Sequence, residues 1–320
     1  MKEGGAIRLA GGTFWMGSSG HYPEEAPARH VQVDAFEIDA FPVTNNQFTA
    51  FVAATGHRTI AELAPDATEY PEADPALLQP GSSLFKRPDR TVTPTDPFQW
   101  WEFSLGTDWR HPWGPDSSIA GLEDHPVVHV AYADAEAFAR WAGKRLPTEA
   151  EWEFAARGGL DRRSFAWGDE LAPSGVMLAN YWQGAFPAHN TLADGFERTS
   201  PVGYYAANGY GLYDMIGNVW EWTSDWYVDR SREPVPRSCC IPRNPRGGSE
   251  AASRDPSDPG RLFGRKVLKG GSHLCAENYC QRYRPAARYP QTIDSSTSHI
   301  GFRCVRDSAP ASENPGDPQR

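Results

Sequence analysis

No run in this 320-residue chain approaches the ~18 consecutive apolar residues of a membrane-spanning helix. The opening Met1-Lys2-Glu3-Gly4-Gly5-Ala6 has no apolar stretch of the secretory-signal kind. We therefore expect a soluble, cytoplasmic protein without a membrane partner. Cysteine is scarce: Cys239, Cys240, Cys275, Cys280 and Cys304 are the five present, an odd number that excludes a fully paired disulfide framework. Positive charge is short too. Thirty-one Lys and Arg against 41 Asp and Glu leave a net charge of −10, too acidic for a protein that grips nucleic acid through its phosphates. No internal repeat or second composition class divides the chain, so we read one domain and expect a monomer. What abounds is glycine (30), proline (28) and aromatic side chains (12 Trp, 12 Tyr, 15 Phe), the composition of a loop-rich globule held by aromatic packing.

Short apolar stretches broken by Gly11-Gly12 predict strands over Ile7–Gly17, and the period-two alternation of His30–Ile38 predicts another. Thr44 can cap a helix whose Phe48, Phe51 and Val52 share a face and which ends near Gly56. From Ala61 to about Pro115 the chain shows no periodicity, and a loop so long is expected to have a function; Trp100, Trp101, Trp109 and Trp113 argue that it is ordered. His125–Val130 reads as a short strand, followed by a helix from about Ala133 to Gly143 with Phe138 and Trp141 turned inward. Thr148 and Glu151 form a capping box for the next helix, whose buried face is Trp152, Ala155 and Ala156. Glu149 and Glu153 are four apart, and the simplest reading makes them solvated acids in the first turns. Turn signals dominate from Gly158 to Trp226, residues 229–265 read as a surface excursion, and Lys266–Lys269 as a strand. The chain from about Asp307 is expected to be a disordered tail, giving a domain over 1–306 and a tail over 307–320.

Two segments carry candidate chemistry. In Gly270–Arg284, Cys275 and Cys280 stand five apart, a spacing open to a redox couple, a pair of soft metal ligands, a disulfide or two packed thiols. Two thiolates suit copper(I), which tolerates few ligands, better than structural zinc, which wants four. Arg282, Arg284 and Arg288 would lower the thiol pKa if they lie close, and Ser272 is near enough in sequence to donate a hydroxyl. Elsewhere, Asn180-Tyr181, Asp194-Gly195-Phe196 and Asp214–Glu221 space oxygen-bearing side chains along turns, as calcium requires, although the same dipeptides also serve as plain turns.

In this order, Gly11–Ser18, Gly143–Gly159, Asn208–Trp226 and Lys269–Cys304 resemble the formylglycine-generating enzyme (sulfatase-modifying factor) family over all but the tail. The first three blocks mark the wider superfamily. The last one, with its Gly-Gly-Ser-x-x-Cys-x-x-x-x-Cys-x-Arg-Tyr-Arg pattern, resembles the catalytic segment that noncatalytic paralogues lack. The resemblance implies a single-domain α+β fold, C-type-lectin-like and low in regular secondary structure. It implies an oxidoreductase that converts the cysteine of a Cys-x-Pro-x-Arg segment in an unfolded or nascent sulfatase to Cα-formylglycine, with O₂ as acceptor and a thiol reductant. By the same resemblance Cys275 and Cys280 bind Cu(I), and Ser272 lies near the oxygen pocket. Asn180, Tyr181, Asp194 and Phe196 hold one structural Ca²⁺, and Asp214, Gly217, Val219 and Glu221 a second, Tyr181, Phe196, Gly217 and Val219 through carbonyls.

Departures from the secreted animal enzymes accompany the match. Their disulfides would use positions held here by Ala139 and Cys304, and by Ala156 and Pro285, so neither bridge is expected. Asp214 replaces the usual asparagine, and Ala276 stands where some relatives have histidine. Cys239-Cys240 is expected in a surface loop. Two rival functions stay open: a binding module that uses the Trp100–Trp113 stretch, and a thiol–disulfide oxidoreductase that needs no copper.

Overall fold

The structure is a computed structural model that describes residues 5–90, 92, 95–230, 241–258 and 260–308. Cys239 and Cys240 lie outside the described residues, as do residues 309–320. The N-terminal pattern resolves into two pairs of strands. Strand β1 (Ala6–Leu9) pairs antiparallel with β4 (Phe36–Asp39), and β2 (Gly12–Met16) with β3 (Arg29–Val33). Gly11, at φ 71°, makes the corner between β1 and β2, where an added Cβ would stand 2.5 Å from Asp34 backbone. The period-two stretch expected as one strand is two, because the chain turns at Asp34-Ala35 to serve both sheets.

Helix α1 (Asn45–Thr55) starts on the Thr44–Gln47 capping box and stops at Gly56 in the left-handed region, burying Phe48 and Phe51. The unpatterned stretch that follows is not one loop. It holds a hairpin of β5 (Gly81–Phe85) and β6 (Trp101–Leu105) joined by an excursion. Sequence patterning missed β5 because both of its faces are mostly buried, so it shows no alternation. His125–Val130, expected as a strand, instead contributes a single bridge from Pro126 to Thr44, and His129 sits at φ 58°. Helix α2 (Tyr132–Trp141) buries Phe138 as expected, but Trp141 is 45 % exposed at its end, with its ring against Phe51 and Phe138.

Helix α3 (Glu149–Arg157) has the expected Thr148–Glu151 capping box and is sunk into the protein on nearly every side. It packs on the second sheet, whose order is β10 (Ile300–Gly301), β7 (Trp220–Trp226), β8 (Arg265–Lys269), β9 (Arg288–Thr292). A short helix α4 (Glu250–Ser253) interrupts the excursion before β8. β11 (Val305–Asp307) closes the first sheet against β4, so the described ordered chain runs through Asp307. With four α-helices, two sheets of three and four strands and two strand pairs among the described residues, the architecture is α+β and low in regular structure.

Candidate active site

β8 delivers Gly270-Gly271-Ser272 into the molecule. Gly271, at φ 71°, lets two backbones meet: a Cβ there would stand 2.8 Å from the Arg282 carbonyl group and Tyr283 N. Ser272 is buried, its carbonyl accepting from Cys275 N at 2.9 Å and its hydroxyl oxygen from Leu274 N at 3.2 Å. The next turn is helix-like, with Cys280 N donating to Ala276 O at 2.9 Å, and it returns Cys280 to Cys275. Trp182 N donates to Cys275 O at 2.9 Å, which ties this segment to the Asn180 region. The two sulfurs end 3.1 Å apart. That is far beyond the ~2.05 Å of a disulfide bond and inside hydrogen-bonding reach for thiols.

Cys275 is buried and Cys280 partly exposed. Cys280 is pulled down to about 6, first because Cys275 donates to its sulfur and then because the Arg282 guanidinium stands beside it. Burial, and then the bond to Cys280, push Cys275 up. The two shifts run in opposite directions and favour the thiolate form at Cys280. Of the three arginines near in sequence, only Arg282 reaches a thiol, with Nη1 3.8 Å from Cys280 Sγ. Glu24 fixes it from 258 residues away, accepting Nε at 3.1 Å and Nη2 at 2.5 Å, while the Tyr22 ring lies 3.9 Å from its guanidinium carbon. Arg284 binds both oxygens of Glu25, and Arg288 both oxygens of Glu149. The Tyr22–Glu25 turn is therefore a clamp on the cysteine segment, and no local signal in the sequence announces it.

Aromatic rings wall the site: Tyr279 stacks on Phe186 with centroids 4.4 Å apart, and Trp100 and Trp182 pack edge-on against Phe186. Of the Trp100–Trp113 stretch that a binding module would use, Trp100 and Trp109 are buried and Trp113 is 44 % exposed. A groove of about 650 Å³ runs alongside, lined by Tyr181, Trp182, Gln183, Ala185, Glu277 and Asn278. Beneath, Glu149 and Glu153 are the opposite of solvated acids. Glu153 binds Arg157 at 2.7 Å and Lys269 at 3.0 Å, and Glu149 binds Arg230 at 2.7 Å and Arg288 at 2.9 Å, all of them buried. Burial pushes each carboxyl up, but the surrounding cations outweigh it and hold both well below the usual range.

Among the described residues no group of three or more His, Cys, Asp and Glu side chains gathers as a metal site. The first expected calcium set does come together through mixed donors. Asp194 accepts from Tyr181 N at 3.1 Å and Phe196 N at 3.0 Å, and Asn180 Oδ1 is buried without a partner. An orphaned buried amide oxygen is a donor that suits a hard cation. The Gln183 side-chain amide bridges Asp194 and the Tyr181 carbonyl in its place. The second set does not fit. Both Glu221 oxygens are taken by Arg303, one of them also by Trp152 Nε1, and Arg303 also donates to the Asp214 carbonyl at 3.2 Å. Asp214 turns its carboxylate to Gly203 N at 2.7 Å. A guanidinium supplies the positive charge at Glu221 and leaves its carboxylate no free oxygen for a cation. Cys304 is a buried free thiol without a bridge, as its missing partner implied.

A formylglycine-generating enzyme of Mycobacterium tuberculosis is 52 % identical over 302 residues, covering 94 % of this chain and 97 % of its own. One from Thermomonospora curvata is 46 % identical, covering 95 % and 93 %. Among solved structures, PvdO from Pseudomonas aeruginosa superposes with a TM-score of 0.63 at 22 % identity over 95 % of this chain and 94 % of that one, a likeness of fold. The sequence matches the sulfatase-modifying factor enzyme 1-like domain over residues 2–308, and with these relatives the chain belongs to the FGE-sulfatase family.

Proposed function

We propose that this protein activates sulfatases by oxidising the cysteine of a Cys-x-Pro-x-Arg segment to Cα-formylglycine with O₂, on an unfolded or nascent chain. The observation that carries the reading is the unbonded sulfur pair, 3.1 Å apart, in a segment whose Glu277 and Asn278 line a groove. The donor set fits copper(I): two soft sulfurs, one of them partly exposed and favoured as thiolate by Cys275 and then by Arg282. Bound there by Cys275 and Cys280, copper would supply the reaction with O₂, and a thiol reductant would complete the electron balance. The chain's own contribution is placement. Glu24 holds Arg282 against Cys280, and Gly271 seats the segment. Tyr279 stacks on Phe186 beside the segment, and Glu277 lines the groove, where its carboxylate would meet the arginine of an extended peptide. Ser272, buried at the start of the turn, keeps a hydroxyl proton to donate within the site. A structural Ca²⁺ belongs at Asn180, Tyr181, Asp194 and Phe196, and we carry no second one. Free Cys304 supports a reducing, cytoplasmic setting, and we take the monomer as the working unit.

The test is incubation of a Cys-x-Pro-x-Arg peptide with copper-loaded protein, reductant and O₂, with aldehyde detected by hydroxylamine trapping and mass spectrometry. Wild type should form aldehyde, and Cys275→Ser and Cys280→Ser should each abolish it while still folding. No aldehyde from copper-loaded wild type sinks the proposal. The 3.1 Å sulfur contact also favours a second reading, thiol–disulfide exchange, since a small movement would close the bond. Thiol–disulfide exchange that persists under a strong Cu(I) chelator, with no aldehyde formed, selects that one.

A further inference from the structure

The buried charges beneath the cysteine segment do not balance. Among the described residues, the buried cations Arg157, Arg230, Lys269 and Arg288 share just two buried carboxylates, Glu149 and Glu153. Arg157 uses Nε and Nη2 on Glu153 and the Gly17 carbonyl, and its Nη1 is buried with no acceptor. An unmet guanidinium N–H in the interior costs more than an ordinary hydrogen bond contributes. The arrangement calls for an anion.

Arg157 forms part of the wall of a recess of about 390 Å³ enclosed by the Gly17–His21 and Arg157–Ser164 segments and by Arg284. No Asp or Glu lines it. Arg284 is committed to Glu25, and Arg163 to Asp169 at 2.5 Å. Arg162 lies flat on the Trp15 ring at 3.8 Å and makes no ion pair among the described residues. The Ser18 and Ser19 hydroxyl oxygens accept from Gly20 N and Ala28 N, both at 3.2 Å, so each hydroxyl proton remains to donate. On the rim, burial and then the charge of Arg284 lower the pKa of His21, in keeping with an electropositive recess.

We propose that this recess binds a tetrahedral oxyanion, a sulfate or phosphate group, through Arg162 and the hydroxyls of Ser18 and Ser19, with the charge of buried Arg157 behind them. The Arg162 guanidinium fork and two hydroxyls, backed by the Arg157 charge, suit an anion whose four oxygens are arranged in three dimensions better than the flat pair of a carboxylate. The site is separate from the sulfur pair and does not rest on the proposed oxidation.

Thermal unfolding and titration calorimetry with sodium sulfate, sodium phosphate and sodium acetate, each at ionic strength matched with sodium chloride, test it. Saturable stabilisation by sulfate or phosphate beyond chloride and acetate is expected, and whichever is tighter identifies the natural group. Because Arg157→Gln can disrupt the fold, the decisive variant is exposed Arg162→Ala. It should fold as wild type without anion and bind about tenfold more weakly, the loss of one charge-assisted contact. Stabilisation no greater than that of chloride or acetate, or an affinity unchanged in Arg162→Ala, overturns the proposal.

Discussion

Glu149→Gln probes how the floor of the site is held, since it keeps the side chain's shape and removes its charge. The carboxylate accepts from Arg288 Nε and Nη2, both at 2.9 Å, and from Arg230 Nη2 at 2.7 Å, with Lys269 Nζ at 3.8 Å. All these groups are buried, so no water replaces the lost charge, and four cations would be left to Glu153 alone. Removing one partner of a buried ion pair costs about 3–5 kcal/mol. At ~2–4 °C per kcal/mol for a domain of this class, Tm should fall by roughly 6–20 °C. Urea unfolding followed by tryptophan fluorescence should show a lower midpoint at unchanged slope. The comparison is Glu136→Gln, which breaks a 3.2 Å pair with Arg140 whose partners are 42 % and 68 % exposed; its cost should stay below about 0.5 kcal/mol. Equal costs for the two variants would refute the reasoning, because burial and the number of paired cations are the differences invoked.

The same groups set the acid limit. Glu149 and Glu153 have depressed folded-state pKa values, so the stability they contribute is fully present above the unfolded value of 4.5 and is lost as pH falls below it. Each should add a slope of about 1.4 kcal/mol per pH unit in that window. Urea midpoints between pH 4.5 and pH 3 should fall steeply in wild type, and about one carboxylate's worth less steeply in Glu149→Gln. Gly271→Ala should cost about 1–2 kcal/mol for its left-handed backbone alone. Because the new Cβ meets immovable Arg282 backbone, turnover in the peptide assay should fall by more than that stability loss explains. Stability and turnover falling in step would argue against a positioning role for that glycine.

Local chemistry was legible from the chain alone. The capping boxes of α1 and α3, the glycine stop of α1, strand β8 and the thiol pair are each decided by residues within a few positions of one another, where backbone geometry limits the outcomes. Sequence could also say that Cys304 had lost its family partner. It could not place β5 and β6, whose faces are buried by segments far along the chain, nor foresee that Trp141 would end exposed. Glu149 and Glu153 show the limit most clearly. In the first turns of a helix such acids are normally solvated, and only the arrival of Lys269, Arg230 and Arg288, all 77 or more positions beyond Glu153 in the chain, turns them into a buried ionic floor. The same holds for Glu24 over Arg282 and for Arg303 in the second calcium set. Spacing determined which residues could do chemistry. The tertiary fold decided which charges met, because electrostatic partners are chosen by distance through space and weighted by burial, and neither is written locally in the chain.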